Sequence, residues 1–198
     1  LSLHGQLTPL IATRRDQALE LVDGFKRLSA AKALGWSSLH VAFRTFDGTT
    51  QWVAMMLLNR GPHSMMILEE AMVLRELTKL GLSQTAVGEL LSRHKTWVSR
   101  RIGLIEKLHP ELVESIKLGI LHPGAARRLL SLPPGNQLEI AAVIQKHGLR
   151  PEETERLVSL WQRSKDSAER QALLFNPKKV IRERTAKSRS IDSRLSPT

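Results

Sequence analysis

Apolar positions recur along this 198-residue chain with two different periods. Over residues 1 to about 60 they fall in short runs closed by turn residues, "LIAT" and "ALELVDG", as strands do. "GFKRLSAAKALGW" follows directly, with Leu28, Ala31 and Leu34 at helical spacing and Gly35 as a stop. "LHVAFRTFDG" is a further strand candidate, ending in an Asp-Gly turn signal. The longest obvious apolar run, "VAMMLL", is core-sized, well short of the ~20 residues that span a bilayer. From about residue 66 the period becomes helical. "ILEEAMVLRELTKLG" puts Ile67, Ala71, Leu74 and Leu77 on one face and closes at Gly81. A helical "QTAVGELLS" then follows Ser83 as N-cap, and a third helix runs through "TWVSRRIGLIEKL" to His109-Pro110. "PELVESIKLG", "HPGAARRLLSL", "NQLEIAAVIQKHG" and "RPEETERLVSLWQRS" are further short helices parted by Gly and Pro, with no repeat of fixed period. After about residue 165 the apolar pattern fades into a basic, Ser-rich stretch. The expected organisation is α+β and mostly helical. It comprises an α/β part over 1–65, an all-helical part over 66–163 and a basic flexible tail over 164–198.

The segment "GLSQTAVGELLSRHKTWVSRRIGL", residues 81–104, meets the needs of a helix-turn-helix. That motif wants a small residue where two short helices approach and apolar residues filling the inner corner. Gly88 is the small residue, and Val87, Leu91, Val98 and Ile102 have the spacing of the corner. The second helix projects His94, Lys95, Thr96, Ser99 and Arg100 from its N-terminal half, the half that enters the major groove in this motif, with Arg101 beside them. Lys and Arg can donate to guanine O6 and N7, and Ser and Thr reach bases or phosphates. Gln84, opening the first helix, is placed to donate to a phosphate. Ser92 occupies the turn position where Gly is usual in this motif, and the competing possibility is an αα-hairpin with a solvated basic face. Trp97 is read as inner-face packing in preference to base stacking.

The charge balance favours the first possibility. Lys and Arg exceed Asp and Glu to give a net +11 and a pI of about 10.7, a surplus that suits a polyanion whose counterions are released on binding. Four Trp, four Phe and no Tyr argue against a surface of stacking platforms. The absence of cysteine excludes disulfides, thiol catalysis and zinc–thiolate sites, and fits a reducing cytoplasm. No leader opens the sequence, and its start at Leu1 suggests a fragment.

With these residues in view, the chain resembles the ParB family of centromere-binding partition proteins. "SQTAVGELLSRHKTWVSRRIGLIEKLHPELVESIKLGILHPGAARRLLSL" and "LRPEETERLV" resemble its central domain. "HGQLTPLIA", "LELVDGFKRLSAAKALGW" and "ILEEAMVLREL" follow its N-terminal domain in order, so the resemblance spans about residues 3 to 160. It implies a partial ParB/sulfiredoxin-like α/β domain before the helix-turn-helix domain, and a cytoplasmic, nucleoid- or plasmid-associated DNA binder. It also implies a homodimer and a ParA-type ATPase as partner. By the same resemblance the N-terminal domain binds CTP with Mg²⁺, through a G-E-R-R segment and an E-N-x-x-R segment. Here the first reads Gly24-Phe25-Lys26-Arg27 and the second Leu58-Asn59-Arg60-Gly61-Pro62. Gly24, Lys26, Arg27, Asn59 and Arg60 are therefore the candidate cofactor residues, with Arg60 standing in for an arginine whose own position holds Pro62. Lys26 lacks the bidentate fork of arginine, and Phe25 and Leu58 replace acidic residues, which weakens the case for Mg²⁺-assisted hydrolysis. The family's first arginine motif would precede Leu1, and its C-terminal dimerisation domain is not evident in the tail.

No catalytic residue is singled out, and enzymatic turnover of CTP stays an open alternative. The seven His have no metal-ligand spacing. Glu69 and Glu70 point to different sides of a helix and suit salt bridges rather than acid–base work. The five Met read as core packing, and Arg127 and Arg128 as either phosphate contacts or a solvated face. Besides partition, a transcriptional or mobile-element regulator, a CTP-hydrolysing DNA-gated switch and an inert fragment remain open.

Overall fold

A computed structural model describes residues 2–15, 17–61 and 65–195, the last nine as backbone only. Pro62, at the family's arginine position, lies outside the described residues. The chain is α+β and divides into two compact units, Leu1–Ile102 and Gly103–Thr198.

The first unit opens with β1 (Leu10–Arg15) and β2 (Ala18–Asp23), which pair antiparallel from Ile11↔Asp23 to Arg15↔Ala18 with an irregularity at Ile11/Ala12. α1 (Phe25–Ala33) then leads to β3 (Val41–Phe43), which lies parallel to the other edge of β1 and gives the order β2-β1-β3. The β1–β3 link is parallel because a helix intervenes, as a crossover requires. The "VAMMLL" run belongs to α2 (Gly48–Leu58), an element its evenly apolar composition does not distinguish from a buried strand. Asp47 caps α2, its carboxylate accepting the Thr50 N–H at 2.6 Å, and that bond holds its pKa below the usual value. α2 is tied to the sheet by buried Gln51, which accepts from Arg15 and donates to Glu20, each at 2.7 Å. α3 (Ile67–Lys79), α4 (Gln84–Leu90) and the first part of α5 (Lys95–Glu106) complete the unit.

The division of the chain differs from the expected boundary near residue 65. Met56 of α2 and Val73, Leu74 and Leu77 of α3 form one buried cluster with Val87, Leu91, Val98 and Ile102. The helical hairpin is thus built onto the preceding elements, and the division falls inside α5 after Ile102.

In the second unit, α6 (Pro110–Lys117), α7 (Pro123–Leu129), α8 (Pro134–His147), α9 (Pro151–Arg163) and α11 (Pro177–Leu195) each begin at proline. Proline suits this position because the first-turn N–H groups have no intrahelical acceptor. His109 and His122 cap α6 and α7 through Nδ1, which accepts from Glu111 N and Gly124 N. Gln137, fully buried, accepts from His109 N and donates to the carbonyls of Lys107 and Leu132, so it satisfies three backbone groups at once.

Where the sequence suggests a basic tail, the described residues are helical. Residues 167–175 form α10, capped by Asp166, and α11 follows from Pro177. Leu173 and Ile181 are buried at 0 and 4 % exposure. Leu173, Pro177 and Ile181 are the buried residues by which these charged helices pack against α9, too few to register as a continuous apolar stripe in the sequence.

Candidate nucleic-acid interface

Ser83 starts α4, its Oγ accepting the Ala86 N–H at 3.1 Å, and Gln84 follows it exposed on the first turn. α4 ends at Leu91, and the chain reverses through Ser92 at φ 54°. Ser92 is the only non-glycine residue with positive φ among those described. The turn therefore uses the left-handed geometry that normally calls for glycine. Ser92→Gly is expected to stabilise the protein by about 1 kcal/mol, the cost of a left-handed L-residue, read as a rise in melting temperature.

Gly88 makes the turn possible. Arg93 N–H donates to Gly88 O at 2.7 Å, and a Cβ on Gly88 would lie 2.5 Å from Arg93 O. The chain then enters α5 through His94, whose Nδ1 lies 2.8 Å from Thr96 Oγ1 and accepts the Thr96 N–H at 3.3 Å. His94 thus caps the helix as well as facing solvent. Val87, Leu91, Val98 and Ile102 are all 3 % exposed or less and pack together as the inner corner.

Burying those four leaves the other face of α5 outside. His94, Lys95, Thr96, Ser99 and Arg100 are exposed. Among the described residues, the side chains of Lys95, Ser99 and Arg100 have no hydrogen-bond or ion-pair partner. Their donors point at solvent from the first half of a helix fixed by a dry corner, an arrangement that can present hydrogen-bond donors to base edges or phosphates.

Arg101 departs from the expectation that it joins this face. Its Nε lies 2.7 Å from Glu70 Oε2, and its guanidinium sits 5.3 Å from the Trp97 ring centre. Arg93 lies over the same ring at 5.5 Å. Trp97 is half-buried against the corner and held by two cations, so Arg101 positions α5 on α3 instead of facing outward. Arg93 is not evident as a candidate from sequence, since nothing local marks its stacking on a ring four residues on. Burial raises the Glu70 pKa above the ordinary value despite Arg101 and Arg93. The folded state therefore binds the Glu70 proton more tightly than the unfolded chain. Stability from this group is present at acid pH and declines as pH rises through the raised pKa. Glu70→Gln is expected to remove that component from a profile of melting temperature against pH, while leaving the rest of the profile in place.

The five candidate cofactor residues are engaged in the fold to different degrees. Gly24 begins α1 at φ 101° with no side-chain cap, and a Cβ there would meet Leu10 Cδ2 at 2.3 Å. Lys26 is exposed on the first turn of α1. Arg27 turns back on its own chain: one terminal nitrogen donates to Thr8 O, Thr8 Oγ1 and Pro9 O, and the other pairs with Asp23 at 2.7 Å. Asn59 donates to Met55 O at 2.8 Å and closes α2. Arg60 donates to Leu91 O at 2.6 Å and caps the C-terminal end of α4, where a cation also opposes the helix dipole. Asn59 and Arg60 line a cleft of about 60 Å³ together with Glu70, Arg93 and Trp97, and Gly24, Lys26 and Arg27 do not line it. Ligand sites for molecules of nucleotide size run to roughly 300–1,000 Å³. As arranged, the set does not fit a triphosphate clamp: Lys26 and Arg60 are exposed, Arg27 and Asn59 are half-buried, and Gly24 is buried.

In the second unit, the neighbouring arginines of α7 have different surroundings. Arg128 pairs with Glu155 at 2.7 Å, whereas Arg127 is exposed with no ion-pair partner among the described residues. Among the described residues, no cluster of His, Asp and Glu could hold a metal ion, and no helix is long and apolar enough to cross a membrane.

The family model described as "ParB HTH domain" matches residues 63–163. The chain is 28 % identical over 172 residues to the "Probable chromosome-partitioning protein ParB" of Coxiella burnetii, covering 86 % of this chain and 59 % of that protein. It is 25 % identical over 132 residues to the "Nucleoid occlusion protein" of Halalkalibacterium halodurans, covering 65 % of this chain and 46 % of that one. The chain thus spans about half the length of these curated relatives. In fold it is similar to the C-terminally truncated ParB of Caulobacter crescentus, solved complexed to the centromeric parS site. The TM-score is 0.54 and the identity 22 %, over 77 % of this chain and 82 % of that one.

Proposed function

The chain belongs to the ParB family, and on that premise we propose that it is a sequence-specific DNA-binding protein of partition type. Its reading element is the first half of α5. The observation that carries this is the outward face made by His94, Lys95, Thr96, Ser99 and Arg100, unneutralised by any carboxylate among the described residues, on a helix whose opposite face is locked into a dry corner. Arg100 and Lys95 read base edges, and Thr96, Ser99 and Gln84 set the register through phosphates. The protein acts as a homodimer on paired half-sites, associated with nucleoid or plasmid DNA, with a ParA-type ATPase as partner.

CTP is the second part of this proposal and has narrower support: the α1 N-terminus behind Gly24 and the exposed Lys26 suit an anion. Arg27, Asn59 and Arg60 hold helix ends and loops, so any response to CTP requires them to exchange internal acceptors for phosphate. The test is selection of bound duplexes from a random library at physiological salt, with and without CTP, followed by sequencing. An enriched palindrome supports the reader, and a CTP-dependent change in what is retained supports the nucleotide response. Retention without enrichment overturns the sequence-specific reading.

A further inference from the structure

Two helices of the second unit place arginines along one groove, at a surface the recognition face does not use. On α9, Arg156, Ser159, Leu160 and Arg163 follow one helical stripe. On α11, Ile181, Arg184 and Thr185 face them. The groove between these stripes has a volume of about 230 Å³, and no Asp or Glu lines it. Its floor is apolar, with Ile181 at 4 % exposure. Its wall is stapled by Arg156, which donates to Thr185 Oγ1 at 2.9 Å, while Thr185 donates to Ile181 O at 2.7 Å. Arg184 is neutralised by Glu169. Arg163, by contrast, is exposed with no hydrogen bond or ion pair among the described residues. α11 extends the charge, with four Lys and Arg against one acid over residues 177–186. It also lies wholly beyond the stretch that matches the family's domain.

We infer that this α9–α11 groove is a second DNA-binding surface, which holds one strand of a duplex by its phosphates without reading sequence. The inference rests on the proposed DNA-binding function. Arg156 and Arg163 are seven residues apart, about 10.5 Å along α9, the axial span of about three phosphates of one strand. The Arg156 guanidinium, held by Thr185, and the unpaired Arg163 lie beside the Ser159 hydroxyl and can donate to phosphate oxygens, and a lining without carboxylates suits an anionic strand. A surface of this kind adds affinity that is independent of sequence and steep in salt.

The test uses the full chain and a random-sequence duplex, with binding followed by fluorescence anisotropy across a salt series. Arg163→Glu is expected to weaken binding about tenfold at low salt and to reduce the slope of log affinity against log salt by about one, since each phosphate contact contributes about 0.9. Arg163→Lys is expected to keep the slope. Because Arg163 has no polar partner among the described residues, Arg163→Lys leaves the melting temperature unchanged and Arg163→Glu lowers it only slightly, by placing an acid in the last turn of α9. A slope unmoved by Arg163→Glu overturns the groove assignment while leaving the α5 reader intact. Polyglutamate competing as well as an equally charged duplex also overturns it, in favour of an acidic polypeptide. A wild-type chain that binds no duplex at any salt overturns this inference together with the proposed function.

Discussion

Gly88→Ala is expected to destabilise the helical hairpin strongly. An alanine in the interior of α4 would normally gain about 1 kcal/mol over glycine from backbone entropy. Here the added Cβ would sit 2.5 Å from Arg93 O, a backbone atom that no rotamer change can move aside. The turn must open by about half an ångström to reach even the closest contact that real Cβ atoms tolerate, and the Arg93 N–H to Gly88 O bond lies in the same turn. A strained close contact of this kind costs about 3 kcal/mol net, which for ~200 residues corresponds to a melting temperature lower by about 10 °C. Gly135→Ala in α8 is the control, because nothing lies within 4 Å of a Cβ added there and its φ is ordinary. Equal melting temperatures for Gly88→Ala and wild type would show that the hairpin does not depend on this close approach.

Arg100→Ala is expected to have the largest effect on recognition. Arg100 is exposed on the outer face of α5 and has no side-chain partner among the described residues, so its removal leaves the fold intact. A bidentate arginine–guanine contact is worth about 1–3 kcal/mol of discrimination, so affinity for the selected site falls roughly ten- to a hundredfold. Binding to random duplex falls much less, because that binding is phosphate attraction shared over many cations. The same substitution at Arg101 is expected to act through stability, since it strips the partner from half-buried Glu70 and one cation from Trp97. Competition of the selected site against random duplex separates the two. Equal losses on both DNAs for Arg100→Ala would place this residue on the phosphates instead of the bases.

The contrast between neighbouring arginines marks the limit of what sequence reading reaches. Arg100 and Arg101, Arg127 and Arg128 look alike as charges on short helices. One of each pair faces solvent, and the other is bound to an acid from a different helix, Glu70 or Glu155. The N-terminal candidates behave likewise. Arg27 and Arg60 stand at motif positions, and in the fold they hold Thr8, Pro9, Asp23 and Leu91. Long, flexible guanidinium side chains take their partners from whatever acceptor tertiary packing brings near. Separations of 19, 27 and 31 residues, for Arg27 to Thr8, Arg128 to Glu155 and Arg60 to Leu91, leave no periodic trace.

Much of what is local in this fold was legible in the chain. The helical spacing of Leu74, Leu77, Val87, Leu91, Val98 and Ile102 marks the corner, because a helix repeats its faces every few residues whatever it packs against. Gly88 marks the close approach, and Pro110, Pro123 and Pro151 mark three helix starts, because backbone sterics act over a single turn. Packing between distant segments settled the rest. It joined α2 and α3 to the hairpin in one cluster, turned the charged C-terminal stretch into α10 and α11, and sorted the arginines into those that hold the fold and those that face outward. Those outcomes depend on burial and on contacts across long loops, whose energies exist only once the chain has closed on itself.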